Sequence, residues 1–180
     1  MTTSTNSPSP ARGVGERANL RFLLQHPAHL IAFGFGTGLA PKAPGTVGTL
    51  LGLPLFWAIA AAAPDLPNRI VLVIAAFLFG IWACARAGRA LGVADHGGIV
   101  WDEIVAFALV LMFIPALPFT PAGWLWTAVA FALFRLFDIL KPWPIRLADT
   151  RLKNGFGVMF DDLLAALYAI AALKGVQWLV

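Results

Sequence analysis

The chain has 180 residues, of which 59% are hydrophobic and 12% charged, about half the charge of an ordinary soluble domain. Its mean hydropathy is +0.80; so short a chain cannot hide that apolar surface from water, and lipid is the solvent that absorbs the excess. The net charge of +4 comes without a basic stripe interleaved with aromatics, which argues against nucleic acid and for Lys and Arg retained on the cytoplasmic side of a membrane.

Residues 1–19 begin with a polar, Ser/Thr/Pro-rich stretch that lacks the apolar core of a signal peptide. The expectation is a disordered tail followed by one domain over 20–180. Residues 20–33 read as a short interfacial helix. Five apolar segments follow, at about 46–63, 70–85, 104–117, 124–137 and 163–180. Several fall short of the ~20 residues that cross a bilayer. The predicted fold is therefore an all-α integral membrane bundle with four or five transmembrane segments. The apolar runs are continuous, which argues against a closed β-barrel. The single cysteine, Cys84, rules out a disulfide framework and a Cys-rich metal site. Inside an apolar run it reads as a packing residue, not a thiolate nucleophile.

The connections alternate in character. The turns at 64–68 and 115–123 hold almost no charge. Arg12, Arg17, Arg21 and Lys42 precede the first segment, Arg86 and Arg89 follow the second, and Arg135, Lys141, Arg146, Arg151 and Lys153 follow or close the fourth. The positive-inside rule places these three regions in the cytoplasm. Asp95, Asp102, Glu103, Asp138, Asp149, Asp161 and Asp162 then converge on that face, and acids at a membrane are usually paired or functional.

Three polar blocks carry the chemistry. The first, from Gly34 to Thr49, puts five glycines with Thr37, Lys42, Thr46 and Thr49 ahead of an apolar helix. Its N–H groups and Lys42 suit a phosphate cradle; the competing reading is a turn of small residues for tight helix packing. The second is Asp95-His96-Gly97-Gly98 followed by Asp102-Glu103. Gly97-Gly98 predicts a break, with the two acids opening the next helix, where they complement its dipole. Clustered carboxylates suit Mg²⁺, and His96 is an acid/base candidate or a structural histidine. In the third, Arg135 and Asp138 are spaced to pair on a helix, Lys141-Pro142-Trp143-Pro144 ends that helix, and Asp161-Asp162 open the last apolar segment as a cap or as metal ligands.

These blocks, in this order, resemble the phosphatidylglycerophosphatase A family of bacterial inner-membrane lipid phosphatases. The resemblance covers about 30–175 and rests on the run from Gly36 to Thr49, on Asp95-His96-Gly97-Gly98 through Glu103, on the run from Phe134 through Lys141 to Pro144, and on Gly155 to Asp162. It implies Mg²⁺-dependent removal of the terminal phosphate of phosphatidylglycerophosphate, giving phosphatidylglycerol and inorganic phosphate. The residues themselves reach only as far as phosphate plus metal at a membrane. On that combined reading Asp95, Asp102, Glu103, Asp161 and Asp162 are metal-ligand candidates. Asp95, His96 and Asp138 are catalytic candidates, and Thr37, Lys42, Thr46, Thr49, Arg135 and Lys141 are phosphate binders. The lipid and the bilayer are the expected partners. The rivals are a phosphatase of another lipid phosphate and a cation transporter that uses membrane carboxylates.

Overall fold

The structure, a computed structural model, describes residues 18–115 and 120–179. The expected tail lies outside the described residues except for Ala18 and Asn19. The stretch at 20–33 divides into α1 (Leu20–Leu24) and α2 (Pro27–Ala32). Asn19 caps α1 by accepting from Phe22 N–H, and His26 caps α2 by accepting from Ala28 N–H. A 3₁₀ segment, Gly34–Leu39, leads to α3 (Pro44–Leu50) and α4 (Gly52–Ala62).

Then come α5 (Leu66–Leu91), α6 (Trp101–Leu111), α7 (Pro121–Leu140), α8 (Ile145–Arg151) and α9 (Gly155–Leu179). Asp65 and Thr120 cap α5 and α7, each with a proline in the first turn, where a missing N–H costs nothing. Gly92 ends α5 in a left-handed conformation (φ 72°), and Val93 N–H returns to the Gly88 carbonyl at 3.0 Å.

Four units are long and apolar enough to cross a membrane: Pro44–Ala62 (α3 with α4), Leu66–Leu91, Pro121–Leu140 and Gly155–Leu179. The third apolar segment is the exception. It forms α6, whose 11 residues rise only ~16 Å, about half a hydrocarbon core. From Ile104 to Leu111 every α6 residue is buried, with α4, α5 and α9 packed around it. A helix apolar on all sides belongs in a core, and here the core is protein.

The last segment also differs from expectation. It begins at Gly155, so Asp161 and Asp162 sit in its second turn and buried; they are not an N-terminal cap.

The helices run alternately, so one end of the bundle gathers the first turns of α3, α6 and α9 and the last turns of α5 and α7. Trp101 Nε1–H donates to Ala76 O of α5 at 3.2 Å. Cys84, fully buried, meets Met159 of α9 at 3.9 Å. At the other end Gln177 and Lys174 of α9 donate to Phe113 O, just past α6.

Candidate active site

The turn at 93–100 sets up the second polar block. His96 Nδ1 accepts from Gly98 N–H at 3.0 Å, which places the neutral ring's proton on Nε2. Val100 N–H bonds Ala32 O, and α6 then starts with Asp102 and Glu103 in its first turn, as the glycine pair predicts. The glycine block packs against this start. A Cβ on Gly38 would strike the Gly98 carbonyl, one on Gly48 the Val100 side chain, and one on Gly45 the Glu103 carboxylate. The close-packing reading of that block therefore has direct geometric support. In the 3₁₀ segment the N–H groups of Gly36 and Gly38 are spent on Phe33 O, and the Thr37 hydroxyl on Gly34 O.

Arg135, 1.5 turns before the end of α7, holds one cluster together. Its Nη1 lies 3.1 Å from Glu103 Oε1 and 2.7 Å from Asp138 Oδ2. The same nitrogen is 3.3 Å from Thr49 Oγ1, which lies 2.9 Å from Glu103 Oε2. Arg135, Glu103 and Asp138 expose 16%, 14% and 12% of their side chains, so the cluster is shielded from solvent screening. Arg135 Nε–H is buried without a partner among the described residues.

Lys141 holds a second cluster. It closes α7 in a left-handed conformation (φ 42°), with Pro142 barring further helix. Its Nζ donates to Asp161 Oδ2 at 2.6 Å and to Asp149 Oδ1 at 2.9 Å, while Lys153 stands 4.0 Å from the same Asp149 oxygen. Burial works against the Lys141 charge, but the bonds to Asp161 and Asp149 outweigh it and raise its pKa above the lysine norm. Burial likewise tends to raise Asp149; Lys141, then Lys153, overcome that and hold its carboxyl below the usual range. A cleft lined by Asp95, Asp149, Lys153, Gly157 and Asp161 opens beside this cluster.

Asp102 and Asp162 are both buried, and Asp102 Oδ1 and Asp162 Oδ2 have no hydrogen-bond partner among the described residues. Asp102 precedes Glu103 of the Arg135 cluster on α6 and Asp162 follows Asp161 of the Lys141 cluster on α9, so the two acids adjoin both clusters. Seven carboxylates thus meet three cations in this region. Buried unpaired carboxylates are costly and need a compensating charge or proton. As the side chains stand, no three His, Cys, Asp or Glu groups among the described residues are gathered closely enough to enclose one metal ion.

Of the residues singled out from the sequence, the structure joins Thr49, Glu103, Arg135 and Asp138 in one cluster and Lys141 with Asp161 in the other. Asp95, exposed, lines the cleft. The side chains of Lys42, exposed, and Thr46 make no hydrogen bond or ion pair with the described residues, and those of Thr37 and His96 bond only within their own turns. Asp149 and Lys153, which the sequence placed on this face without assigning them a role, join the Lys141 cluster.

Fold and site together define a helical protein of membrane-spanning dimensions with an ion-paired carboxylate centre at one end of its bundle. The model of the phosphatidylglycerophosphatase A family matches residues 30–177, and the chain belongs to that family; it is a phosphatase. It is 47% identical over 157 residues to the phosphatidylglycerophosphatase A of Haemophilus influenzae, covering 86% of this chain and 91% of that one. To the Escherichia coli enzyme of the same name it is 37% identical, covering 87% of each. A Bacteroides thetaiotaomicron protein, provisionally named a phosphatidylinositol-3-phosphatase, is 36% identical over 84% of this chain and 94% of its own. No solved structure matches the chain.

Proposed function

We propose that the chain hydrolyses the terminal phosphate of phosphatidylglycerophosphate to phosphatidylglycerol and inorganic phosphate, with Mg²⁺, at the cytoplasmic face of a bacterial inner membrane. The observation that carries this reading is the buried, unpartnered pair Asp102 and Asp162 between two clusters that each present a cation. The donor set is all oxygen, and Mg²⁺ is commonly bound by one or two carboxylates with water and substrate phosphate completing its shell. Asp102 and Asp162 fit that role without a third protein ligand; Asp95, Glu103 and Asp161 stand around them. When bound, the ion would offset phosphoryl charge and lower the pKa of nearby water.

The chain's own residues supply the rest. Arg135 offers its unspent Nε–H and Lys141 its third N–H to phosphoryl oxygens. Asp138 and Glu103 fix the guanidinium. Thr49 fixes Glu103. Asp95, exposed at the cleft, takes the proton of the attacking water and passes it to the leaving alkoxide, whose oxygen His96 Nε2–H hydrogen-bonds. The substrate's glycerol leaves protonated and phosphate leaves as the hydrolysis product. Lys42 and Thr46, at the mouth of the glycine block, meet the headgroup as it arrives.

Phosphate release by the purified chain in detergent micelles tests the reading. Phosphatidylglycerophosphate should be cleaved with Mg²⁺ and not after EDTA. Phosphatidylinositol 3-phosphate, suggested by the Bacteroides relative, should be cleaved far more slowly. Preference for the inositol lipid would replace the substrate; activity in metal-free buffer would remove the cation.

A further inference from the structure

Asp149 is the residue of the second cluster that no motif announces. It sits on α8, a seven-residue helix fixed in place by its surroundings. Ile145 and Ala148 of α8 are buried. Ile145 N–H bonds Pro142 O at 2.7 Å, and the Tyr168 hydroxyl of α9 donates to Trp143 O at 2.9 Å. The segment between Lys141 and α8 is thus tied to α9, which also carries Asp161. Asp149 therefore meets the ammonium from a different helix than Asp161 does.

An ammonium has three N–H donors. Asp161 takes one and Asp149 another, and no further acceptor for Lys141 stands among the described residues. With Asp161 alone, the flexible lysine stem would leave the ammonium free to rotate about a single ion pair. Two carboxylates on two different helices define its position, and so define where the third N–H points. Lys153, more exposed and 4.0 Å from Asp149, is too loosely held to replace Lys141 there.

We propose that Asp149 is a positioning residue: it holds the Lys141 ammonium so that its free N–H meets the phosphoryl group of the substrate. The inference rests on the phosphate-binding role of Lys141 given above. Asp149 itself touches no reacting atom. Its contribution is made before chemistry begins, as an orientation that the bound phosphate does not have to impose.

The test uses the full chain in mixed micelles of phosphatidylglycerophosphate, with Asp149→Asn, Asp149→Glu, Lys141→Gln and the double variant Lys141→Gln/Asp149→Asn. Asp149→Asn should raise KM, and the inhibition constant of inorganic phosphate, by roughly tenfold, the worth of one charged hydrogen bond, while kcat falls much less. Asp149→Glu, which keeps the charge, should recover most of the loss. In the Lys141→Gln background Asp149→Asn should add nothing, and isothermal titration with inorganic phosphate reads this even where turnover is too slow. An unchanged phosphate affinity in Asp149→Asn, or an equal loss with and without Lys141, overturns the inference. A wild-type chain that releases no phosphate from the lipid overturns the proposed function instead.

Discussion

Lys141 and Asp161 meet at 2.6 Å, joining the end of α7 to the second turn of α9 across 20 residues of sequence. With Asp149 as the other partner, this pair clasps α7, α8 and α9 at the end of the bundle where the carboxylates gather. The clasp has a defined pH window. Lys141 has a raised pKa, so its contribution is complete below the ordinary lysine value and is lost as pH rises through the raised one. Asp149 has a lowered pKa, so its contribution is present above the ordinary 3.8 and is lost as pH falls through the lowered value. The difference in thermal midpoint between wild type and Asp149→Asn should then stay constant from about pH 5 to about pH 9 and close outside that range. Melting curves in detergent read it directly. A difference that vanishes between pH 6 and 8 would mean the clasp does not bear on stability.

Arg135 reaches Glu103, Asp138 and Thr49 through one nitrogen, so its two common substitutions should separate. Arg135→Lys keeps the charge but loses the planar fork, and should lower kcat/KM by roughly 10- to 100-fold with little change in melting. Arg135→Ala leaves Glu103 and Asp138 facing each other unpaired in a site that exposes less than a sixth of either. That should destabilise the chain by about 3–5 kcal/mol and cut the yield of folded protein. Kinetics and melting of the two variants side by side check both statements. A lysine variant with wild-type turnover would remove Arg135 from phosphate binding.

How much of this was legible beforehand follows the physics of each signal. Long apolar runs marked α5, α7 and α9, and the glycine pair marked the break before Asp102, because hydropathy and backbone freedom are local properties. The short reach of α6 was not legible. Its apolar run continues past Leu111 toward the turn at 115–123, and composition does not say whether lipid or protein covers it. The burial of Asp161 and Asp162 was missed for a related reason: the apolar run was taken to open at these acids, yet Gly155 and Gly157 let the helix start earlier and press against α5 and Leu152 there. The pairing of Arg135 with Asp138 was readable from their spacing. Its extension to Glu103, and the role of Asp149, depend on helices meeting across the bundle.

Asp102 and Asp162 are expected to trade stability for function. Each carries a buried oxygen with no partner among the described residues, so a neutral isostere relieves a cost while deleting a ligand. Asp102→Asn and Asp162→Asn should each melt at or above the wild-type temperature in EDTA. Each should also lose most of the rise in melting temperature that Mg²⁺ gives the wild type, since a ligand that binds the folded state stabilises it, and most turnover with it. Variants that melt lower than wild type in EDTA yet keep the Mg²⁺ increment would show that these acids are structural.

Gly45 tests the packing of the glycine block against the site. A methyl group there would overlap the Glu103 carboxylate, which cannot retreat without stretching its bonds to Arg135 and Thr49. Gly45→Ala should therefore cost most of kcat while leaving a folded, membrane-associated chain. Gly175→Ala, where a Cβ meets nothing within 4 Å, should leave turnover alone. Equal activity in both would mean that Glu103 has room to move and that its position is not needed.

The site should face the cytoplasm. Lys42, Arg86, Arg89, Arg146, Arg151 and Lys153 lie at or next to the helix ends that carry the carboxylates. The opposite turn at 63–65 is closed by the Asp65 cap and by Arg69, whose guanidinium is folded onto the carbonyls of Ala63 and Pro64. Loops rich in Lys and Arg stay on the cytoplasmic side because translocating them is unfavourable. Single cysteines in a Cys84→Ser background read the orientation. Cys84 is fully buried, so the exchange alters no surface. Asn68 is exposed at one end of the bundle, and Gly97 and Asn154 at the other. Gly97 is the cleaner of the two, with open space around it, whereas Asn154 caps α9 through Gly157 N–H at 2.9 Å. In intact cells a cysteine at 68 should react with an impermeant maleimide, and one at 97 should react only after permeabilisation. The opposite pattern would place the carboxylates on the outer face, out of reach of a lipid phosphate made from cytoplasmic precursors, and would overturn the proposed placement of the reaction.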